Sequence, residues 1–281
     1  MSGLESRLLI ITSADAGFLG PGHSTTNFDV TLEDSSADLR SRIKGVSVDS
    51  VQFINRVPNV REKRNSFKLI RNFSSSTSDH ITEHAVPEGF YSLDQLVATL
   101  NGLVGDEVEF TVNVGTGMDG GDRLGIQSVD GLLYGLTLQC QPRDNLGYQL
   151  GLQQVDTVLS KLRPEDESIV DKSPPLEFMA NLHGEYALQL QSTHIAGSRF
   201  SLNGTGAQIP CILTIPLTTE YGTVQSTDGH TAMGTPSVIY GAQDPHDIHT
   251  IDLSLRYLDG EIVDLGHTNL HVTLRLWVIN K

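Results

Sequence analysis

Cysteine is nearly absent from this chain. Only Cys140 and Cys211 occur, too few for a disulfide framework, although a single bridge stays open. Cations are scarce too: 19 Lys+Arg face 34 Asp+Glu, a formal net charge of -15. That balance makes a poor generic nucleic-acid binder, since such affinity comes from clustered positive charge. Aromatic residues make up 6%, with one tryptophan, Trp277, which gives little for a stacking platform and reads as core within its strand pattern. No apolar run approaches the roughly 18 residues of a spanning helix, and Leu8–Ile11 after Arg7 is too short for a signal-peptide core. The expectation is a protein made and kept in a reducing compartment. The sequons at Asn72-Phe-Ser74 and Asn203-Gly-Thr205 then read as chance matches. Nucleophile elbow, P-loop, HExxH and CxxC patterns are all missing, so no catalytic residue, cofactor site or metal site is assigned and an enzyme is not expected.

What the chain does have is length and turns. Its 281 residues can bury one large β-rich core or two ordinary ones. With 38% hydrophobic and 19% charged residues it is no disordered acidic tail. Period-two alternation dominates both ends. Strands are predicted at Leu8–Thr12, Asn27–Leu32 and Gly45–Asn55, the last with a phase slip at Asp49-Ser50 that signals a bulge. Near the other end they are predicted at Glu185–Gln191, Cys211–Leu217, Ile248–Tyr257 and Leu270–Val278. Asp259-Gly260 supplies a tight turn between Leu253–Leu258 and Glu261–Leu265.

The middle differs. Residues 87–102 hold the one convincing helix, with Ser92 as N-cap, Gln95 completing a capping box, and Leu93, Leu96, Val97 and Leu100 on one face. Strands follow at Val108–Val114 and Arg123–Val129, then a strand or short helix at Leu132–Gln139 and a charged, proline-ended linker at 160–175. The economical architecture is mainly β: an antiparallel jelly-roll β-sandwich from residues 1–64 and 159–281, interrupted by an α+β insertion over 65–158. Two tandem sandwiches divided near residue 170 are the alternative.

Several patterns invite chemistry. Gly115-Thr-Gly117-Met-Asp-Gly120 matches G-x-G-x-x-G, but a strand pattern follows where a dinucleotide site needs a helix, so a hairpin turn is favoured. His246 and His249 stand three apart before a β-branched run, which puts them on opposite faces of a strand; with His267 and His271 they form no compact ligand set. Cys211, mid-strand, reads as a packing residue. One charge feature stands out. Arg40, Arg42, Lys44, Arg56, Arg61, Lys63, Arg64, Lys68 and Arg71 are nine of the 19 cations, opposed only by Asp49 and Glu62. Such segregation suits a subunit interface or an acidic neighbour, and would also serve packaged nucleic acid. The plainer reading is a solvated strand edge whose charges block unwanted pairing.

The ordered succession ITSADAGFLGPGHSTTNFDVTLE, GVSVDSVQFINRVPNV, VPEGFYSLDQLVATLN, YQLGL, ILTIPLTTEYGTV and IDLSLRYLDGEIVDLGHTNLHVTLRLWV resembles the minor capsid and penton proteins of polinton-like viruses, virophages and related double-jelly-roll DNA viruses. The resemblance implies a jelly-roll virion protein, assembled inside the host cell. It also implies a homopentamer that plugs fivefold vertices and contacts the major capsid protein. It carries over no catalytic residues, and it places the insertion outward or over the vertex. A cement or receptor-binding role is compatible with the insertion. The competing classes are a receptor- or glycan-binding β-sandwich of a viral appendage and, last, a hydrolase on a β scaffold.

Overall fold

The computed structural model describes residues 4–14, 24–31, 43–73, 80–106, 108–113, 123–128, 133–139, 146, 150, 156–161, 182, 184–196, 201–202, 208–229 and 250–279. The chain divides into two compact units, one of Met1–Val57 with Glu185–Lys281 and one of Pro58–Gly184. Sequence patterning alone places the divisions after residues 64 and 158.

In the first unit the alternating strands take the positions their periods demand. They are β1 (Leu4–Thr12), β2 (Asn27–Thr31) and β3 (Ile43–Ile54). After the second unit come β10 (Ala187–Gln191), the short helix α2 (Thr193–Ala196), and the paired two-residue strands β11 (Ser201–Leu202) and β12 (Gln208–Ile209). β13 (Cys211–Pro216), β14 (Val224–Asp228), β15 (Thr250–Tyr257) and β16 (His271–Ile279) complete it. They form two four-stranded antiparallel sheets, ordered β1-β16-β3-β14 and β13-β10-β15-β2. The chain passes back and forth between the sheets, and its first and last strands lie side by side. This is the jelly-roll order, and the fold is mainly β.

Burial explains why the sheets stack. In β15, Ile251, Leu253, Leu255 and Tyr257 are buried, and between them Asp252, Ser254 and Arg256 point outward. In β16, Val272, Leu274 and Leu276 do the same, and together with Val46, Val48, Val51, Phe53, Phe28 and Leu188 they form one continuous core. Trp277 is a correction: it shares the outward phase of β16 with His271, Thr273 and Arg275 and is only half-buried. Its Nε1 lies 3.5 Å from Ser47 Oγ. Strand period outranks side-chain hydrophobicity here, because every residue must obey the pleat.

The slip in β3 is a bulge. Thr273 pairs Ser50 and Leu274 pairs Val48, so Asp49 is passed over. The extra residue keeps Val46 and Val48 in phase with Val51 and Phe53, and Asp49 accepts hydrogen bonds from Arg275 Nε and Nη2 at 3.0 and 2.9 Å. Gly229 donates its N–H to the Asp49 carbonyl at 2.9 Å. A Cβ at Gly229 would sit 2.1 Å from the Val48 carbonyl oxygen. Gly229→Ala is therefore expected to cost about 1–3 kcal/mol through backbone displacement, read as a lower urea midpoint.

The Asp259-Gly260 turn forms with Gly260 at φ 94, but its second arm makes only a single bridge, Arg256 with Ile262.

The second unit contains β4 (Ser66–Phe73), β5 (His80–Ala85), α1 (Leu93–Val104), β6 (Val108–Asn113), β7 (Arg123–Ser128), β8 (Leu133–Gln139) and β9 (Asp156–Lys161). One sheet runs β5-β4-β8-β9, and β6 pairs with β7. Helix α1 starts where its capping box demands, with Ser92 Oγ accepting from Gln95 N–H at 3.3 Å and Gln95 Oε1 accepting from Ser92 N–H at 3.0 Å. Leu96, Leu100 and Val104 are buried against Phe67, Leu69, Phe110 and Ile126, in a core separate from the first. Asn101 pins the helix to β6 by donating to the Phe110 carbonyl and accepting the Phe110 N–H.

Candidate functional site

The nine cations of the basic stretch do not share one environment. Arg40 and Arg42 lie outside the described residues, and Lys44 is in β3. Arg56 is exposed in the first unit. The second unit holds Arg61, Lys63, Arg64, Lys68 and Arg71. Arg61 and Arg71 are buried. Arg71 donates to Thr82 Oγ1 at 3.0 Å, and the same hydroxyl lies 2.8 Å from His84 Nε2. His84 stacks on Phe67. Partial burial and then the Arg71 guanidinium hold the His84 imidazole below its ordinary value. Lys68 makes a loose 3.9 Å ion pair with Glu83.

The histidine group resolves only in part. His246 and His249, like the glycines at 115–120, lie outside the described residues. His271 is exposed, with Nδ1 3.1 Å from Thr12 Oγ1. Among the described residues no group of three or more His, Cys, Asp or Glu could hold a metal. β7, the element after the glycine loop, is a strand paired with β6, as a hairpin requires. Cys211 is a free thiol, and burial pushes its pKa up, which leaves it a poor nucleophile at neutral pH.

One polar cluster escaped the sequence reading. Ser192, Thr193, His194 and Asp252 meet where α2 begins. The Asp252 carboxylate accepts Ser192 Oγ–H at 2.9 Å, Thr193 N–H at 2.8 Å, Thr193 Oγ–H at 2.7 Å and His194 N–H at 2.9 Å. His194 Nδ1 stands 2.8 Å from the same carboxylate. Burial alone would raise the pKa of Asp252, but the hydrogen bonds outweigh it and the net shift is downward. The residue types are those of a hydrolytic triad; the geometry is not. A triad needs the serine on the far side of the imidazole, whereas here serine and histidine both engage the carboxylate. Ser192 Oγ also accepts from Ile195 N–H at 3.2 Å. The arrangement caps a helix start with a carboxylate from a strand nearly 60 residues away.

Exposed apolar side chains are spread over both units: Tyr186 before β10, Ile81 on β5, Phe90, Ile262, and residues at both edges of the sheet β1-β16-β3-β14. On β1, Leu8 is 58% and Ile10 73% exposed; at the opposite edge Val224 is 62% exposed and nearby Tyr221 44%. Exposed apolar residues set on sheet edges are contact chemistry, not catalytic chemistry. Period two predicts the outward Leu8 and Ile10 once the core phase of β1 is known, but β14 gives no such signal.

No family model matches this chain, and no curated protein matches it. Among solved structures, that of the selenomethionine-labelled mavirus penton protein is similar to it, with a TM-score of 0.47 and 10% sequence identity over 98% of this chain and 100% of that one.

Proposed function

We propose that this protein is a structural component of a virion, of penton or minor capsid type. In this reading it assembles as a homopentamer and contacts the major capsid protein. The observation that carries the reading is the jelly-roll strand order completed by both ends of the chain, an architecture that recurs in viral shells. The sequence resemblance adds the vertex role. The polar cluster at Asp252 is a cap that stiffens the scaffold, which suits a part whose task is to hold shape. Arg56, which is exposed, and Arg64 and Lys68, which are half-buried, are the members of the basic stretch offered to an acidic neighbour. With Arg61 and Arg71 buried, the stretch has less to offer packaged nucleic acid. The inserted second unit, in this reading, faces outward or covers the vertex.

A chain with net charge -15 must overcome self-repulsion to associate, so its contacts need locally complementary charge. The expected result is a salt-sensitive oligomer. Sedimentation velocity of the full chain should show an assembly at low ionic strength that dissociates as screening rises. A monomer under both conditions overturns the reading.

A further inference from the structure

We infer that β5 is an acid-released edge strand: a neutral His84 helps to hold it on β4, and protonation of that imidazole lets it go. The inference concerns the second unit alone and does not depend on the capsid reading.

The hydrogen bonds fix the state of the ring. Arg71, Thr82 and His84 share the inner phase of the β4–β5 pair with Phe67 and Leu69. A guanidinium can only donate, so Thr82 Oγ1 accepts from Arg71 Nη2 at 3.0 Å. The hydrogen of the hydroxyl is then available to His84 Nε2, 2.8 Å away. A bond in that direction needs a bare Nε2, which means a neutral imidazole with its proton on Nδ1. Protonation puts a second hydrogen on the line between them. Thr82 must then turn its hydroxyl away, and a new cation joins the buried Arg71 on one face. Phe67 works the other way, since its ring lies 5.3 Å from the imidazole and an aromatic face attracts a cation. Burial and the Arg71 charge nonetheless leave the net direction for His84 downward.

Among the described residues, the neighbouring elements bring no carboxylate to that face to offset Arg71. His80 is exposed at the far end of β5, paired with Arg71, while Lys68 and Glu83 occupy the opposite phase of the hairpin. Glu109 on β6 and Asp94 on α1 are exposed. The β8 positions aligned with Leu69 and Arg71 are Leu138 and Leu136.

Topology makes β5 the element that responds. It is the terminal strand of its sheet among the described residues, paired to β4. Just beyond it Val86 is buried and anchored: its N–H donates to the Asn65 carbonyl at 2.9 Å and its carbonyl accepts from Asn65 Nδ2 at 2.7 Å. The strand would therefore pivot at Val86 and bare the backbone groups of β4 as a pairing edge. A released strand takes up the proton more readily than a seated one. The hold is thus complete above the ordinary histidine value of 6.5 and weakens as the pH falls below it.

Hydrogen exchange of the full chain, read by mass spectrometry at about pH 7.5 and about pH 5.5 and expressed as protection, tests this. Acid should cut the protection of residues 80–85 severalfold and leave that of α1 in place. His84→Gln, which keeps a polar side chain but does not titrate, should abolish the acid loss; His80→Gln should retain it. In the parent chain, NMR of labelled histidines should show His84 as the Nδ1–H tautomer, titrating below the ordinary value. An acid loss that persists in His84→Gln overturns the inference. So does one that disappears in His80→Gln, an equal loss at α1, a parent chain without an acid response, or a His84 that titrates at or above the ordinary value.

Discussion

Phe28→Ala is expected to destabilise the first unit by about 3–5 kcal/mol, a large share of the stability of an ordinary domain. Phe28 is among the largest fully buried side chains. It sits on the five-residue strand β2 and pairs across to Leu253 of β15. Its loss opens a cavity at a sheet edge and removes the anchor of a short strand. The effect should stay local. Phe110 belongs to the separate core of the second unit, and the only tryptophan, Trp277, belongs to the first. Urea unfolding followed by tryptophan fluorescence should therefore shift sharply for Phe28→Ala and little for Phe110→Ala. Amide exchange at α1 should show the opposite order. Equal fluorescence shifts for both variants would mean that the two cores unfold as one cooperative unit.

Strands whose two faces see different surroundings were legible in the sequence. β15 and β16 alternate cleanly, and the slip at Asp49 announced its bulge because one extra residue inverts the pattern beyond it. The capping box at Ser92 and Gln95 fixed the start of α1, since its donors and acceptors are local. Elements defined by distant partners were not legible. β14 went unseen because its inward residues, Gln225 and Thr227, are polar. They are buried only because they satisfy each other, Gln225 Nε2 donating to Thr227 Oγ1 while its Oε1 accepts from Thr218 N–H and Thr219 Oγ–H. β10 was legible as a strand from the alternation of Leu188 and Leu190 with Gln189 and Gln191, but that alternation marks an exposed polar face, whereas β10 is buried along its whole length. Trp277 misled through its chemistry although its phase was plain. Asp252 looked like any outward polar residue of a strand. Nothing in the sequence near it reveals donors that arrive from Ser192, just after β10, and from the start of α2.

Asp252→Ala is expected to cost about 2–3 kcal/mol, since hydrogen bonds to a charged acceptor contribute more than neutral ones and several are lost together. Water can reach part of the cluster, which keeps the cost below that of a fully buried ion. The pH dependence identifies the cause. The folded protein holds this carboxyl below its ordinary value, so the unfolded chain takes up the proton first as the pH falls. The stabilisation is complete above the ordinary carboxylate range and is lost as the pH drops through the lowered, folded value. Stability profiles of the parent chain and Asp252→Ala should thus lie apart at neutral pH and converge in acid. His194→Ala separates the cap from the imidazole contact. It keeps the backbone N–H that Asp252 accepts and removes only the imidazole. If the carboxylate acts mainly on the start of α2, His194→Ala should cost well under half as much as Asp252→Ala. Equal losses would transfer the role to the imidazole–carboxylate pair.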